Sequence, residues 1–309
     1  MKTLATLILL LSISTVAAQY KIAYNVLQDQ KADDYEVYVM NADGSDPKNV
    51  TNHKDVAWTY YSLPGKLLFI SDRGACRRCY FLYSADVDGS NVRKASNLQL
   101  EDSWMGSRNK GKELVVAGRV DTRVRYQLFT IDVATGRYRQ LTNEPAAAFR
   151  DPTFSPDGKQ IVYVYKKNRT DRSAIEEMYI MNSDGSNRRK LTTYPATDPL
   201  AKDFGYKVGP PHWNAKYKFI SYQSNQDGKQ SIYAVTPDGK KQWKLTESKL
   251  DEGWHDWSPD GEWLTFDSRD PASGRHDIYM MNYRTKETKK LTGDSPMKFH
   301  QSPVFVTTR

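Results

Sequence analysis

The sequence predicts an all-β fold, a six-bladed β-propeller of four-stranded blades. A block of 17 residues occurs six times, with an aromatic residue at its third position and a hydroxyl residue at its sixteenth. The copies recur at intervals of roughly 45–54 residues, the length of a four-stranded propeller blade. Chance does not produce six such copies. The blocks begin at Glu36, Phe81, Gln127, Glu177, Ser231 and Asp277.

The elements of one repeat are clearest between Phe154 and Thr193. Ser155–Gly158 reads Ser-Pro-Asp-Gly, a tight turn in which proline pre-sets φ and glycine tolerates a positive φ. The apolar runs Ile161–Tyr165 and Met178–Asn182 are predicted as buried strands. A second turn, Ser183–Ser186, then closes a hairpin onto an edge strand.

These motifs carry a resemblance to a known family. Ser-Pro-Asp-Gly before a strand, a tyrosine-containing strand, and then Asn-x-Asp-Gly-Ser and Leu-Thr are similar to the blade repeat of TolB-type propellers, which also occurs in prolyl-oligopeptidase-type peptidases. The resemblance covers the whole mature chain and implies the fold, whereas one fold hosts many functions. The α/β domain that precedes the propeller in TolB has no counterpart between Gln19 and Tyr35, so we expect a stand-alone propeller.

The first 18 residues have the pattern of a secretory signal peptide. Lys2 supplies the positive charge, Leu4–Val16 is an apolar run too short to span a bilayer, and small residues form a cleavage site up to Ala18. We therefore expect residues 19–309 to form one propeller domain in a secreted or periplasmic protein. No other apolar run approaches transmembrane length, which predicts a protein that does not span the membrane.

The two ends of the mature chain are predicted to share a blade. The first repeat begins directly at the strand Lys21–Val26, without a Ser-Pro-Asp-Gly strand before it. The missing strand follows the sixth block, at Gln301–Val306. A C-terminal strand that completes the N-terminal blade would close the propeller and remove exposed sheet edges.

Cys76 and Cys79 are the only cysteines of the chain. In an oxidising compartment we expect a small loop disulfide or a pair of free thiols. A redox pair and a zinc site are the alternatives, although the motif does not open a helix and no second cysteine pair exists.

Basic loops mark a candidate binding surface. The chain has 45 Lys and Arg against 37 Asp and Glu, a formal net charge of +8. In a four-stranded blade the short turns share one face and the variable loops share the other, where binding sites usually lie. An acidic protein or an acidic envelope polysaccharide fits such a surface. Nucleic acid does not fit an exported chain without a recognition module. The basic candidates are Arg123, Arg125, Arg150, Lys166 and Lys167.

Three histidines are candidates for a metal site. His212, His255 and His300 precede or begin predicted inner strands, and with Asp151 or Asp256 they suggest a divalent metal ion near the propeller axis. Their positions relative to the following aromatic residue differ, so the alternative is that they are structural or solvated. The sequence therefore predicts no cofactor, with a divalent metal ion as the alternative.

Three tryptophans, Trp58, Trp104 and Trp254, begin predicted inner strands. Around a central cleft their rings would stack on sugars, and core packing is the alternative interpretation.

Common catalytic motifs are absent from the sequence, which has no GxSxG elbow, no HExxH and no phosphate loop. Our first interpretation is an exported non-catalytic propeller that binds a protein or envelope polymer through its variable loops. The alternative is a carbohydrate-active enzyme, a lyase or hydrolase, similar to propeller-type lyases with a histidine-bound metal. A third interpretation is an accessory subunit of a peptidase or transport complex.

Overall fold

The computed structural model describes residues 20–172, 175–194, 207–226, 228–247 and 250–308. The predicted signal peptide, residues 1–18, lies outside the described residues, as does most of the long insertion predicted at residues 193–208.

Strands form all of the regular secondary structure in the described ranges. Within those ranges no helix has the length and hydropathy that crossing a membrane requires. The strands, in chain order, are Tyr20–Asp29 (β1), Asp34–Asn41 (β2), Lys48–Asn49 (β3), Ala57–Leu63 (β4), Lys66–Ser71 (β5), Phe81–Asp86 (β6), Arg93–Leu100 (β7), Gly106–Arg108 (β8), Glu113–Arg119 (β9), Gln127–Asp132 (β10), Tyr138–Gln140 (β11), Ala148–Phe154 (β12), Gln160–Lys166 (β13), Glu177–Asn182 (β14), Arg189–Lys190 (β15), His212–Asn214 (β16), Phe219–Gln226 (β17), Lys229–Val235 (β18), Gln242–Lys244 (β19), Asp251–Trp257 (β20), Trp263–Arg269 (β21), His276–Asn282 (β22), Thr288–Lys290 (β23) and His300–Thr307 (β24).

The chain divides into two compact units. Of the described residues, the first unit takes 20–69, 84–93 and 255–308, and the second takes 70–83 and those within 94–254. Each unit has its own apolar core. One cluster of the first unit contains Ile22, Met40, Ile278 and Phe305, and two clusters of the second are centred on the strands β12–β14 and β17–β18.

In the first sheet, the last strand pairs with the first. The strand order is β24-β1-β2-β3, with Tyr20 opposite Thr307 and Ile22 opposite Phe305. The prediction that a C-terminal strand completes the N-terminal sheet is therefore confirmed. Val304, Phe305 and Val306 are all buried, so this pairing also contributes to the core of the first unit.

Three further sheets have the simple order of one repeat, β12-β13-β14-β15, β16-β17-β18-β19 and β20-β21-β22-β23. The second and third predicted repeats do not appear as separate sheets. Their strands form one eight-stranded sheet with the order β11-β10-β9-β7-β6-β5-β4, in which β8 also pairs with β9. The structure thus shows four separate four-stranded sheets where the sequence predicts six.

The link between β7 and β9 is short. It consists of two residue pairs, Gln99 opposite Arg119 and Leu100 opposite Gly118, while β8 pairs with β9 at Gly106 to Arg108. β7 runs on past the expected end of its repeat and continues along the same edge of β9 that β8 occupies. This extension joins two repeats into one sheet.

The sixteenth residue of the repeated block has a structural role. In the third block, the Thr142 hydroxyl accepts a hydrogen bond from the Leu128 backbone N–H at 2.9 Å and donates one to the Gln127 side chain at 2.9 Å. In the sixth block, Thr292 makes the equivalent bonds to Ile278 and Asp277, each 3.0 Å long. A hydroxyl is conserved among the blocks because one oxygen both accepts and donates here.

Candidate functional site

The second unit contains a carboxylate that is shared by two arginines. Glu101 follows β7 and is buried, with 3% of its side chain exposed. Arg119 at the end of β9 donates to it at 3.1 Å, and Arg125 in the β9–β10 loop donates at 2.7 and 3.0 Å. The hydrogen bond to Glu101 raises the pKa of Arg125. Two cations on one carboxylate leave a net positive charge, and Arg125 remains partly exposed.

A second shared carboxylate lies in the next repeat. Glu176 precedes β14 and pairs with Arg150 of β12 at 2.5 Å and with Lys166 at the end of β13 at 3.7 Å. Burial lowers the pKa of Arg150, but the charges of Glu176 and Asp151 outweigh this effect and raise the pKa. Glu176 is thus shared by two cations, and Asp151 adds a second acid beside Arg150.

Tyr126 connects these two groups. Its ring lies 5.2 Å from the Arg125 guanidinium, and its backbone carbonyl accepts a hydrogen bond from the Phe149 N–H, next to Arg150. Burial raises the pKa of the Tyr126 hydroxyl and Glu101 adds to the rise, while Arg125 and Arg150 oppose it. The arginines of both groups therefore act on the same aromatic side chain.

Arg169 ties the two basic loops together. Its side chain donates to the carbonyl of Pro145 at 3.1 Å and to that of Arg123 at 3.4 Å. The Arg123 side chain is 85% exposed and pairs with Asp121, and Lys167 is exposed. We call this set the basic loop surface. It comprises Arg119, Arg123, Arg125, Arg150, Lys166, Lys167 and Arg169.

The predicted sugar-stacking tryptophans are not an open platform. Trp58 and Trp104 are buried, with 9% and 5% exposed. Trp58 packs edge-on against Tyr35 at 4.9 Å between ring centres. Trp254 is half-buried. The prediction of a sugar platform is wrong for Trp58 and Trp104, because these rings pack within the protein.

Asp151 and His212 support the inner strands of the second unit. Asp151 accepts hydrogen bonds from the Trp104 N–H at 2.9 Å and the Ser103 hydroxyl at 3.0 Å, and burial raises the pKa of its carboxyl. The His212 ring meets the Trp104 ring edge-on at 4.8 Å. Asp151 thus links the fourth repeat to the third, and the contact between His212 and Trp104 joins the fifth repeat to the third.

Two of the three predicted metal ligands of the first unit have other roles. His255 is fully buried, and Asp256 accepts a hydrogen bond from the Phe305 N–H at 2.8 Å. His300 uses both ring nitrogens, Nδ1 with the His276 carbonyl at 2.9 Å and Nε2 with the Ser295 hydroxyl at 2.8 Å. The part of the chain that the structure describes contains no group of three or more His, Cys, Asp or Glu that could hold a metal ion. The metal alternative thus lacks a ligand set there.

Cys76 and Cys79 form a disulfide with a Cα–Cα distance of 5.2 Å. The Cys79 N–H also donates to the Cys76 carbonyl at 2.8 Å, so the bridge closes a single turn. It belongs to a local loop of the second unit.

Sequence reasoning missed Glu101, Glu176 and Arg169. The repeat pattern gives no signal for them, because they stand outside the 17-residue blocks and the acids lie 24 and 26 residues from Arg125 and Arg150. Only the fold brings these distant charges together.

Comparisons with known proteins agree with a β-propeller fold. Residues 21–201 match the family PD40, described as TolB beta propeller domain. The chain is 24% identical over 221 residues to the Tol-Pal system protein TolB of Francisella tularensis, a match that covers 70% of this chain and 46% of that protein. The chain thus spans about half the length of the curated relatives that it matches.

Two solved structures are similar in fold. TolB from Acinetobacter baumannii superposes with a TM-score of 0.68 at 16% identity, over 93% of this chain and 66% of that one. An oligogalacturonate lyase in complex with manganese superposes with a TM-score of 0.55 at 15% identity, over 83% and 70% of the two chains. At these identities the likeness concerns the fold alone.

Proposed function

Because the chain belongs to the TolB β-propeller domain family, we propose that it is an exported binding scaffold whose basic loop surface captures an acidic segment of a protein partner. The observation that carries the proposal is that Glu101 and Glu176 are each shared by two cations. Export rests on the predicted signal peptide. The name of the Francisella relative, a Tol-Pal system protein, agrees with a role in the cell envelope.

The charge arrangement suits recognition of carboxylates. A partner carboxylate that approaches Arg125 meets a guanidinium whose internal acid is already shared with Arg119. Arginine can bind a carboxylate through two parallel hydrogen bonds, which gives geometric specificity as well as attraction. Exposed cations such as Arg123 and Lys167 add long-range attraction, which raises the rate of association.

A protein partner fits better than a polysaccharide. Sugar recognition generally uses exposed aromatic faces, and Trp58 and Trp104 are buried. Tyr126, an aromatic residue beside the basic pairs, already contacts Arg125. The surface therefore offers charge and hydrogen bonds more than stacking.

The scaffold itself is proposed to have six blades. The six repeated blocks of the sequence support this count, and the eight-stranded sheet holds as many strands as two repeats. Only two residue pairs join its halves, so we treat it as two blades linked by an extended β7.

Binding can be tested with two defined polyanions. The double variant Arg125→Gln and Lys167→Gln removes one partly exposed and one exposed cation of the surface. It keeps Arg150 and Lys166 in place, so that Glu176 stays paired. Fluorescent poly-L-glutamate and an oligogalacturonate of similar charge would be titrated by anisotropy at low and high salt. We expect about fivefold weaker binding of poly-L-glutamate, since each lost exposed pair contributes up to about 1 kcal/mol, and a smaller salt dependence.

The matched control is Lys240→Gln with Arg284→Gln, which removes one lysine and one arginine from exposed positions elsewhere. Equal loss in both double variants would mean that net charge alone governs binding and would contradict the proposed surface. Stronger binding of the oligogalacturonate, with a dependence on Arg125 and Lys167, would replace the protein partner with a polysaccharide.

A further inference from the structure

A cavity of about 340 Å³ in the first unit has a hydrogen-bonded serine and histidine in its wall. It lies between β1, β2 and the segment that follows β23. Its walls are mostly apolar and aromatic, with Tyr24, Tyr38, Met40 and Met297 among the lining residues. Ser295, His300 and Asp294 supply polar groups to the same cavity.

Ser295 and His300 are hydrogen-bonded in this wall. The Ser295 Oγ lies 2.8 Å from His300 Nε2. The Met297 backbone N–H donates to the same oxygen at 3.2 Å. Since the hydroxyl accepts from Met297, its single proton is free to point at the imidazole. Ser295 is half-buried and lines the cavity, whereas His300 is 1% exposed.

The surroundings of His300 select its tautomer. Nδ1 lies 2.9 Å from the His276 carbonyl oxygen, which can only accept a hydrogen bond. Nδ1 therefore carries the proton, and Nε2 is left as the acceptor for the Ser295 hydroxyl. Burial lowers the pKa of His300, while the His276 carbonyl and the Asp277 charge oppose this effect. The imidazole is thus neutral near pH 7, the state that a general base requires.

Asp277 stands behind the imidazole as a negative charge. Its Oδ1 lies 3.7 Å from His300 Nδ1. Burial would raise the pKa of Asp277, but hydrogen bonds from Arg275, Lys290 and Thr292 outweigh it and lower the pKa. An ionised carboxylate at this distance favours the imidazolium that forms when His300 takes a proton. The order of groups, hydroxyl to imidazole to carboxylate, is the one that activates a serine.

We propose that Ser295 is a nucleophile activated by His300, and that the cavity hydrolyses small uncharged esters. The apolar walls accommodate a short acyl or aromatic group. Asp294 at the lining disfavours an anionic substrate. This activity goes beyond the binding role of the basic loop surface, and it uses none of the residues of that surface.

The reaction has two balanced steps. Ser295 Oγ attacks the ester carbonyl carbon, its proton moves to His300 Nε2, and the bond from carbon to the alcohol oxygen breaks as that oxygen takes the proton. Water then attacks the acyl-serine, gives a proton to His300, and the Oγ–carbon bond breaks as Ser295 recovers the proton. The net change is ester plus water to acid plus alcohol.

The test uses the mature chain and p-nitrophenyl acetate at pH 7.5. We expect a burst of p-nitrophenolate of about one equivalent per chain and an acetyl group on Ser295 in the peptide mass map. Ser295→Ala should abolish both signals. His300→Gln should slow acylation by about 100-fold, since general-base catalysis contributes about 10²–10⁴-fold.

Ser273→Ala is the matched control, because Ser273 is an exposed serine that donates to a carboxylate, Asp270, at 2.6 Å without an imidazole. It should keep the full burst. If His300→Gln fails to fold, as thermal melting would show, Ser295→Ala and Ser273→Ala decide the question. Acetylation that persists in Ser295→Ala, or that maps to other residues, would overturn the proposal, as would a wild-type chain without a burst.

Discussion

Asp277 shows how a single buried residue can organise several others. Its carboxylate accepts hydrogen bonds from Arg275, Lys290 and Thr292, each 3.0 Å long, and only 2% of the side chain is exposed. A carboxylate with three donors is far more stable charged than protonated. The Glu101 cluster of the second unit is built in a similar way, since two cations, Arg119 and Arg125, also meet one buried acid.

Asp277→Asn tests the cluster around Asp277. The folded pKa of Asp277 lies below its ordinary value, so its stabilising contribution is complete at neutral pH and is lost as the pH falls from about 5 downward. We expect the variant to lose about 2 kcal/mol in the free energy of unfolding at pH 7, and much less at pH 3.5, in urea titrations. The control Asp270→Asn changes the net charge equally at a half-buried loop position. A cost that is the same at both pH values would refute this assignment.

At the scale of elements, the turn of one repeat rests on the backbone of the preceding repeat. Gly89 lies in the turn after β6, at a φ of +87°, and a Cβ there would collide with the Val50 carbonyl oxygen. Gly136, at a φ of +69°, would bring a Cβ to 2.5 Å from the Ala95 carbonyl oxygen. Val50 and Ala95 are the fifteenth residues of their blocks. The glycine thus lets successive repeats approach closely.

We expect Gly89→Ala to destabilise the protein by about 2–4 kcal/mol, from the positive φ and from the collision with backbone. Gly274→Ala is the matched control, because Gly274 has a φ of +69° and nothing within 4 Å of the added Cβ. This variant should lose only about 1 kcal/mol in the free energy of unfolding, from backbone strain at the positive φ. Equal losses in chemical denaturation would show that the close approach contributes nothing.

At the scale of the whole molecule, the first and last strands of the described chain depend on each other. β1 pairs with β24 on one side and β2 on the other, so contacts between residues almost 290 positions apart complete one sheet. The Ser62 hydroxyl adds a hydrogen bond to the Phe305 carbonyl at 2.7 Å. Such distant contacts carry a large loop-closure entropy, which predicts slow folding.

Deletion of residues 300–309 should strongly lower the melting temperature. The buried side chains of Val304, Phe305 and Val306 together contribute about 6 kcal/mol, which is comparable with the whole stability of many domains. A circular permutant that joins residue 308 to residue 20 by a short linker and opens the turn at Gly274 keeps β24, and it should melt near the wild type. An unchanged melting temperature in the deletion, measured by circular dichroism, would contradict the role of this pairing.

The repeated block determined the all-β fold and the approximate positions of the strands, because alternating apolar residues, turn residues and the block spacing are local properties. The pairing of the chain ends followed from one strand that is missing in the first repeat and present after the last block. Glycine and threonine recur in the blocks, and the fold shows which backbone and hydrogen-bond contacts require them. Tertiary structure decided the rest. The sequence around Trp58 and His255 gives no local sign that these residues are buried. Glu101 meets Arg119 and Arg125 only after the strands pair. The same holds for Ser295, which meets His300 beside Asp277. A functional group depends on the burial of its side chains and on neighbours that are distant along the chain. Neither can be read from the spacing of residues in the sequence.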